Sequence, residues 1–122
     1  FKLDPFYSNT IYYTSTEDIA GVQFNIETEN DAIVSSGSGG ALGEAGMSIT
    51  VGNNILITFS LNAATIPAVD ATIDAQPLVV LTVQNNLRIA NITNVVVSSG
   101  AGIELNNEIT YDGDMIIINA SS

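Results

Sequence analysis

Ile19-Ala20-Gly21-Val22-Gln23-Phe24-Asn25-Ile26-Glu27 is the stretch of the chain that decides the fold. Small or polar residues alternate in it with four apolar ones, Ala20, Val22, Phe24 and Ile26. Successive side chains of a β-strand point to opposite faces of the sheet, so this alternation predicts a strand with one dry and one wet face. Strands of this kind are typical of antiparallel sheets packed on a single core, as in a β-sandwich.

The rest of the chain shows further short strands separated by turn residues. Residues 47–51 and 55–61 alternate on either side of Gly52-Asn53-Asn54, which predicts a hairpin. Residues 76–83 are almost continuously apolar, which predicts a central strand buried on both faces. Residues 36–40 are rich in Gly and Ser and are predicted to be flexible, whereas residues 41–45 are predicted to form one helical turn.

The spacing of these segments predicts the architecture. Further strands are expected at residues 1–4, 10–14, 32–35, 88–98, 103–105, 108–111 and 115–119. Together they predict one all-β domain over residues 1–122, a jelly-roll β-sandwich of about nine antiparallel strands. The alternation also predicts which side chains form the core: Ala20, Val22, Phe24, Ile26, Ile57, Phe59, Val79, Leu81 and Val95.

Composition excludes several classes of function. Two basic residues, Lys2 and Arg88, stand against thirteen acidic ones, for a net charge of −11. Nucleic-acid binding draws most of its affinity from Lys and Arg at phosphates, and anionic membranes attract basic segments, so we expect neither partner. No apolar run approaches the roughly 20 residues that span a bilayer, so we expect no membrane insertion.

The residues present also argue against catalysis. The chain has no Cys and no His, which removes thiolate sites and the commonest general base and metal ligand. A serine nucleophile would therefore lack its usual base. Thirteen acids make some glycosidase-like pair inevitable by chance, and nothing in the sequence singles one out. We therefore expect no enzyme, no catalytic residue and no organic cofactor.

One acidic motif raises the question of a metal. Asp112-Gly113-Asp114, with Asp70 and Asp74 elsewhere, offers oxygen ligands of the kind that Ca²⁺ takes. The alternative interpretation is a tight Asp-Gly-Asp turn between two strands, which is the more frequent role of such a motif. We expect no metal, and Asp112 and Asp114 are the candidate ligands if calcium binds.

Two other features concern processing. The chain begins at Phe1 without a Met or a charged-then-apolar leader, which indicates a processed product or part of a longer chain. Asn91-Ile92-Thr93 and Asn119-Ala120-Ser121 match the N-glycosylation acceptor pattern. The sequence leaves open whether either asparagine carries a glycan.

Three segments carry a resemblance to a known family. They are residues 18–26; residues 92–99 with 102–105, where a valine-rich strand runs into a small-residue turn; and Asp112-Gly113-Asp114 with the apolar run that follows. In order and spacing they resemble a cohesin-like domain, the nine-stranded jelly-roll sandwich of cellulosome scaffolds. Val22 stands where the family usually has Phe, and this chain is shorter than cellulosomal cohesins.

A subgroup of that family is more similar still. It occurs as repeats in extracellular and virus-associated proteins, with a Gly-rich segment like residues 36–46 and a loop like Thr65-Ile66-Pro67-Ala68. The resemblance implies a structural or adhesion module of an extracellular or virion surface assembly, such as a decoration, fibre or stalk unit. Its partners would be neighbouring copies or other protein subunits.

The resemblance also implies an alternative, a binding module that captures a dockerin-like domain or a glycan. Related carbohydrate-binding modules read sugars with exposed Trp or Tyr side chains, and this chain has no Trp. The available rings are those of Tyr7, Tyr12, Tyr13 and Tyr111. Tyr12 and Tyr13 are adjacent in a predicted strand, so one of them faces out if the other faces in.

Overall fold

The computed structural model describes residues 9–60, 64–70, 75–84, 87–112 and 115–122. Within these ranges the chain forms β-strands, one short helix, α1 (Gly40–Glu44), and a 3₁₀ turn, Glu29–Asp31. The strands are β1 (Asn9–Ser15), β2 (Ile19–Thr28), β3 (Val34–Ser38), β4 (Ser48–Gly52), β5 (Ile55–Phe59), β6 (Gln76–Val83), β7 (Ile89–Ser99), β8 (Glu104–Asp112) and β9 (Met115–Ser121). The all-β prediction is confirmed, and the strand expected at residues 1–4 lies outside the described ranges.

The strands form two sheets that share β8. Their hydrogen-bonded order is β3-β6-β1-β9-β8-β7-β2-β5-β4. Sheet A contains β3, β6, β1, β9 and residues 106–112 of β8, whereas sheet B contains residues 104–105 of β8 with β7, β2, β5 and β4. β8 therefore crosses from one sheet to the other, which closes one side of the sandwich. The other side is closed by the edge strands β3 and β4, since a Cβ on Gly37 would lie 3.2 Å from Ile49 Cγ2.

This arrangement is the predicted jelly-roll sandwich with one difference in strand direction. All neighbouring strands run antiparallel except β1 and β9, which pair in parallel from Ile11↔Ile116 to Ser15↔Ala120. The two chain-terminal strands of the described part thus lie side by side at the centre of sheet A.

The core between the sheets contains most of the predicted side chains. Val22, Phe24, Ile26, Val79 and Leu81 are buried as expected. Ala20 and Val95 are half-buried. The register of β2 against β7 shifts between Ile19 and Gly21, which is why Ile19 is buried as well as Val22 although their spacing is odd.

The prediction that Ile57 and Phe59 belong to the core is wrong. Both face solvent, with 43% and 46% of their surface exposed, and β5 turns Leu56 and Thr58 inward instead. In residues 55–59, the odd-numbered and the even-numbered positions are all apolar except for Thr58. The pattern therefore does not determine which face is buried. The inner face of β5 is therefore that of Leu56 and Thr58.

Two predictions about other segments also need correction. From Val79 onward β6 is buried on one face only, because Val80 and Thr82 are exposed, whereas Leu78 and Val79 are both buried where the register with β1 shifts. The strand lies next to the edge strand β3 rather than at the centre of sheet A. Residues 36–38, expected to be flexible, pair with β6 as part of β3. The predicted hairpin is confirmed: β4 and β5 are joined by Asn53 and Asn54, both with positive φ, as a type I′ turn requires.

Candidate functional site

The outward surface of sheet B, called here the sheet B outer face, carries two of the large apolar side chains that the core leaves exposed, Ile57 and Phe59. One row across it contains Thr50, Ile57, Gln23 and Val96, since Thr50 pairs with Ile57, Ile57 with Gln23, and Gln23 with Val96. Phe59 follows two positions after Ile57 on β5 and therefore projects from the same side. The two exposed apolar side chains are thus neighbours near the β4 edge.

Uncharged polar residues surround this apolar pair. Ser48 pairs with Phe59, and Gly52 and Asn25 both pair with Ile55, which is half-buried. The described rows that contain Ile55, Ile57 and Phe59 include no acidic or basic side chain. A large exposed apolar group among uncharged polar ones is typical of a surface that contacts another protein.

Acidic residues lie at the two ends of β2 instead. Glu17 and Asp18 precede the strand, and Glu27 and Glu29 lie at its end. All four are exposed. These four carboxylates thus lie around the sheet B outer face, and Glu104, which pairs with Ser98, lies on its β8 side. None of the five stands in the rows of Ile55 and Ile57, where charge would oppose desolvation on binding.

The outward surface of sheet A has a different character. Tyr12 pairs with Pro77 on one side and Ile117 on the other, but Tyr12 and Ile117 are both half-buried. Glu108 and Asp112 are exposed on the neighbouring part of β8, so this surface includes charge. Val80 of β6 is exposed there at 37%, below the 43% and 46% of Ile57 and Phe59.

The tyrosines that were candidates for sugar binding separate into three environments. Tyr13 is 1% exposed, and its hydroxyl donates a hydrogen bond to the Pro67 carbonyl at 2.9 Å, so it is unavailable as a platform. Tyr12 is half-buried, and Tyr111 is 55% exposed with its hydroxyl donating to Asn91 Oδ1. Tyr7 lies outside the described residues.

The two glycosylation patterns differ in how their asparagines are held. The Oδ1 atom of Asn119 accepts a bond from Thr14 Oγ1 at 2.8 Å, and its Nδ2 donates to Thr110 Oγ1 at 2.8 Å and to the Glu108 carbonyl at 3.2 Å. Asn91 is half-buried on β7 and uses Oδ1 to accept from Tyr111. The amide of Asn119 is therefore the more constrained of the two.

No calcium site is assembled by the described residues. Asp112 is exposed at the end of β8, and Asp70 is exposed in the segment 64–70. Across the described ranges, no three His, Cys, Asp or Glu side chains converge as metal ligands would. Asp114 and Asp74 lie outside those ranges, so a calcium site formed by Asp112 and Asp114 stays a prediction.

A cleft opens at the end of the sandwich beside α1, and we call it the α1 cleft. Its volume is about 390 Å³. It is lined by α1, the segment 64–70, the start of β6 and one side chain of β1, with contributions from Tyr13, Gly40, Ala41, Glu44, Ala45, Thr65, Pro67, Val69, Gln76 and Pro77. Burial raises the pKa of the Tyr13 hydroxyl, and the negative charges of Asp18 and Glu44 raise it further.

Matches to this chain are found among solved structures. No family model matches the chain. No curated protein matches it either. Among solved structures, the non-cellulosomal cohesin from the hyperthermophilic archaeon Archaeoglobus fulgidus aligns with 93% of this chain and 89% of its own, at 9% identity and a TM-score of 0.44. The chain is similar in fold to a cohesin.

The match does not test the subgroup that the sequence resembles. At this identity it identifies no binding residue, so the site has to be argued from the surface of this chain alone.

In the described part of the chain, none of the helices has the length and apolarity that a membrane span requires.

Proposed function

We propose that this chain is a non-enzymatic structural module that acts through protein–protein contacts, and that it makes them with the sheet B outer face. The observation that carries the proposal is the outward position of Ile57 and Phe59 on β5. Their exposure leaves two large apolar side chains in water, and covering them with a partner surface would recover that free energy.

The surroundings of Ile57 and Phe59 support the same function. Thr50, Ser48 and Gln23 are short or uncharged side chains that can pack and hydrogen bond without the cost of burying an ion. The acidic residues at the ends of β2 would remain at the rim of such an interface, where charge influences association rate and partner choice more than affinity. Negative charge at the rim also limits non-specific self-association of the protein in solution.

The setting we propose is an extracellular or virion surface assembly, in which the module serves as a decoration, fibre or stalk unit. Support for this finer proposal comes from the sequence resemblance and from the strongly acidic, Ser-, Thr- and Asn-rich surface. Neighbouring copies or other subunits of the assembly would be the partners.

The alternative function is that of a binding module for a dockerin-like domain or a glycan. A dockerin-like domain would use the same kind of exposed apolar surface. A glycan is favoured by a different observation, the exposed ring of Tyr111 beside the Asn91 amide on the neighbouring strand. Aromatic rings next to amides supply both the apolar contact and the hydrogen bonds that sugar binding needs.

Site-specific photocrosslinking distinguishes these functions. A benzoylphenylalanine replaces Phe59 in one variant and Glu108, on the outward surface of sheet A, in the control. Each variant is produced in its native assembly and irradiated, and the crosslinked peptides are identified by mass spectrometry. We expect crosslinks from position 59 to another copy or another structural subunit, and few from position 108.

Other outcomes have defined meanings. Crosslinks from position 59 to a dockerin-like domain would favour the binding-module alternative. Equal yields from the two positions, or none from position 59 in an intact assembly, would exclude the sheet B outer face as the contact surface. Binding of a sugar that is lost in Tyr111→Ala and kept in Phe59→Ala would favour the glycan alternative.

A further inference from the structure

The α1 cleft combines an apolar wall with acidic character at a distance from the sheet B outer face. Ala41 of α1 and Ala45, the residue after its end, contribute methyl groups, and Pro67, Val69 and Pro77 contribute further lining. A cavity of about 390 Å³ is within the size range of pockets that bind small ligands or single long side chains.

We propose that the α1 cleft binds an aliphatic cation, an alkylguanidinium or alkylammonium group. A stem of three or four methylenes would lie along Ala41, Ala45 and Pro77, and the charged head would meet the Glu44 carboxylate. Arginine and lysine side chains have this form, with an apolar stem that prefers contact and a head that prefers a carboxylate or water.

The charges around the cleft favour a ligand with a positive charge. Glu44 lines it directly, and Asp18 lies close enough for its charge to act on the Tyr13 hydroxyl as Glu44 does. None of the lining residues within the described part of the chain is basic. Arg88 precedes β7, near Asn9 and thus at the opposite end of β1 from Tyr13. A cation would therefore be attracted, and an anion of the same shape repelled.

Tyr13 supplies a fixed acceptor in the lining. Its hydroxyl hydrogen is used in the bond to the Pro67 carbonyl, which fixes the position of the oxygen. The phenolic oxygen still has acceptor capacity, so it can receive a hydrogen bond from the head group of the ligand. Glu44 and Tyr13 together would thus contact a guanidinium or ammonium from two elements of the fold.

The test uses a pair of probes of the same shape. N-butylguanidinium and its neutral counterpart N-butylurea are titrated into the ¹⁵N-labelled protein, and the backbone amides of Ala41, Ala45 and Val69 are followed by NMR. We expect saturable shifts at these amides with the cation, and binding of the urea weaker by about three- to fivefold, as for an exposed ion pair. The difference should shrink at about 1 M salt, where charges are screened beyond about 3 Å.

Variants connect the signal to the cleft. Glu44→Gln should weaken the cation by about three- to fivefold and leave the urea unchanged. Glu108→Gln, which removes an equally exposed glutamate from β8, should change neither. Ala45→Leu should fill the cleft and abolish both signals, with circular dichroism used to confirm that the fold is kept. Phe59→Ser should have no effect, because the inference does not rest on the proposed function.

A second arm separates the two sources of the cation. A short peptide with one central arginine is compared with the same peptide carrying citrulline. Binding of both the peptide and N-butylguanidinium supports a protein side chain as occupant, and binding of the small molecule alone supports a free amine or guanidine. The proposal is overturned if neither cation shifts the cleft amides, or if Glu44→Gln and Glu108→Gln weaken binding equally.

Discussion

The Thr58 hydroxyl bonds both backbone polar groups of Val22, across the boundary between β5 and β2. It accepts the Val22 N–H at 3.0 Å and donates to the Val22 carbonyl at 3.2 Å, in a buried position. The backbone pairing of these strands runs from Asn25↔Ile55 to Gln23↔Ile57, so the hydroxyl forms its bonds just beyond the end of the backbone ladder. Because side chains alternate along a strand, an inward Thr58 places Ile57 and Phe59 outside.

We expect Thr58→Val to destabilise the fold although the two side chains have nearly the same shape. The variant leaves the buried N–H and carbonyl of Val22 without their partner, which costs on the order of 1–3 kcal/mol. Urea unfolding followed by circular dichroism measures the change. Thr58→Ser is the control, since it keeps the hydroxyl and loses one methyl, for about 1 kcal/mol. A valine variant as stable as wild type would show that the hydroxyl bonds do not hold β5 in place.

Much of the fold could be predicted because the alternation in β2 allows only one of its two faces to be the buried one. Val22, Phe24 and Ile26 cannot all be buried in any other register, and the Asn53-Asn54 pair predicts its hairpin from the tolerance of asparagine for positive φ. β5 could not be predicted in the same way. Its apolar residues occupy both parities, and a threonine is buried in preference to a phenylalanine because of a hydrogen bond to a strand distant in sequence.

The candidate site could not be predicted for the same reason. Assigning Ile57 and Phe59 to the core removed from consideration the two side chains on which the proposed function depends. The parallel pairing of β1 and β9 was also missed, because strand direction at the centre of a sheet depends on chain topology and leaves no local pattern. The uncharged composition of residues 55–59 was the available signal, since an inner and an outer face that are both apolar indicate a covered surface.

Two phenylalanines provide a direct test of the revised register. Phe24→Ala removes a fully buried ring and should lower the free energy of unfolding by about 3–5 kcal/mol. Phe59→Ala removes a ring that is 46% exposed and should cost at most about 1 kcal/mol, in the range of strand propensity effects. Chemical denaturation of both variants measures the difference. Similar losses of stability in the two variants would show that Phe59 is buried, and the proposed contact surface would then have no basis.

Calcium should not contribute to stability. In the described part of the chain, Asp112 belongs to no group of three or more His, Cys, Asp or Glu side chains that could hold a metal ion, so the convergence of charged ligands typical of a Ca²⁺ site is missing there. We expect the same Tm with calcium and with a chelator, measured by calorimetry. A Tm that falls on chelation, in wild type and in Glu104→Gln but not in Asp112→Asn, would instead establish the site predicted at Asp112 and Asp114.

Alkaline pH should destabilise the protein through Tyr13. Burial, with the charges of Asp18 and Glu44, raises the pKa of its hydroxyl in the folded state above the unfolded value of about 10. Below that pH the hydroxyl is protonated in both states, and above it the unfolded state loses the proton first. The contribution of the Tyr13 hydroxyl to stability is therefore fully present below about pH 10, and it is lost as the pH rises through the folded-state pKa.

Denaturation at a series of pH values from 8 to 11 measures this loss, with the range set by the tyrosine pKa of about 10. Tyr13→Phe should be less stable than wild type near neutral pH, because the bond to the Pro67 carbonyl is missing. It should also lose less stability between the two ends of the range. Parallel curves for the two proteins would show that Tyr13 does not cause the alkaline transition.

The two asparagines of the β4–β5 turn should respond differently to the same substitution. Asn53 and Asn54 have φ of 52° and 59°, so glycine suits the backbone at both positions. The Asn54 side chain binds the start of β3 and the residues before it: its Oδ1 accepts from the Val34 N–H at 2.9 Å and its Nδ2 donates to the Ala32 carbonyl at 3.0 Å. Asn54 therefore connects the turn of one sheet to the edge strand of the other.

We expect Asn53→Gly to leave stability within about 0.5 kcal/mol of wild type. Asn54→Gly should cost on the order of 1–3 kcal/mol, because both bonds are lost and the backbone groups of Val34 and Ala32 must find other partners. Hydrogen exchange of the Val34 amide checks the cause, since its protection should fall in Asn54→Gly and persist in Asn53→Gly. Equal stability of the two variants with unchanged protection at Val34 would show that the edge strand β3 is held by its pairing with β6 alone.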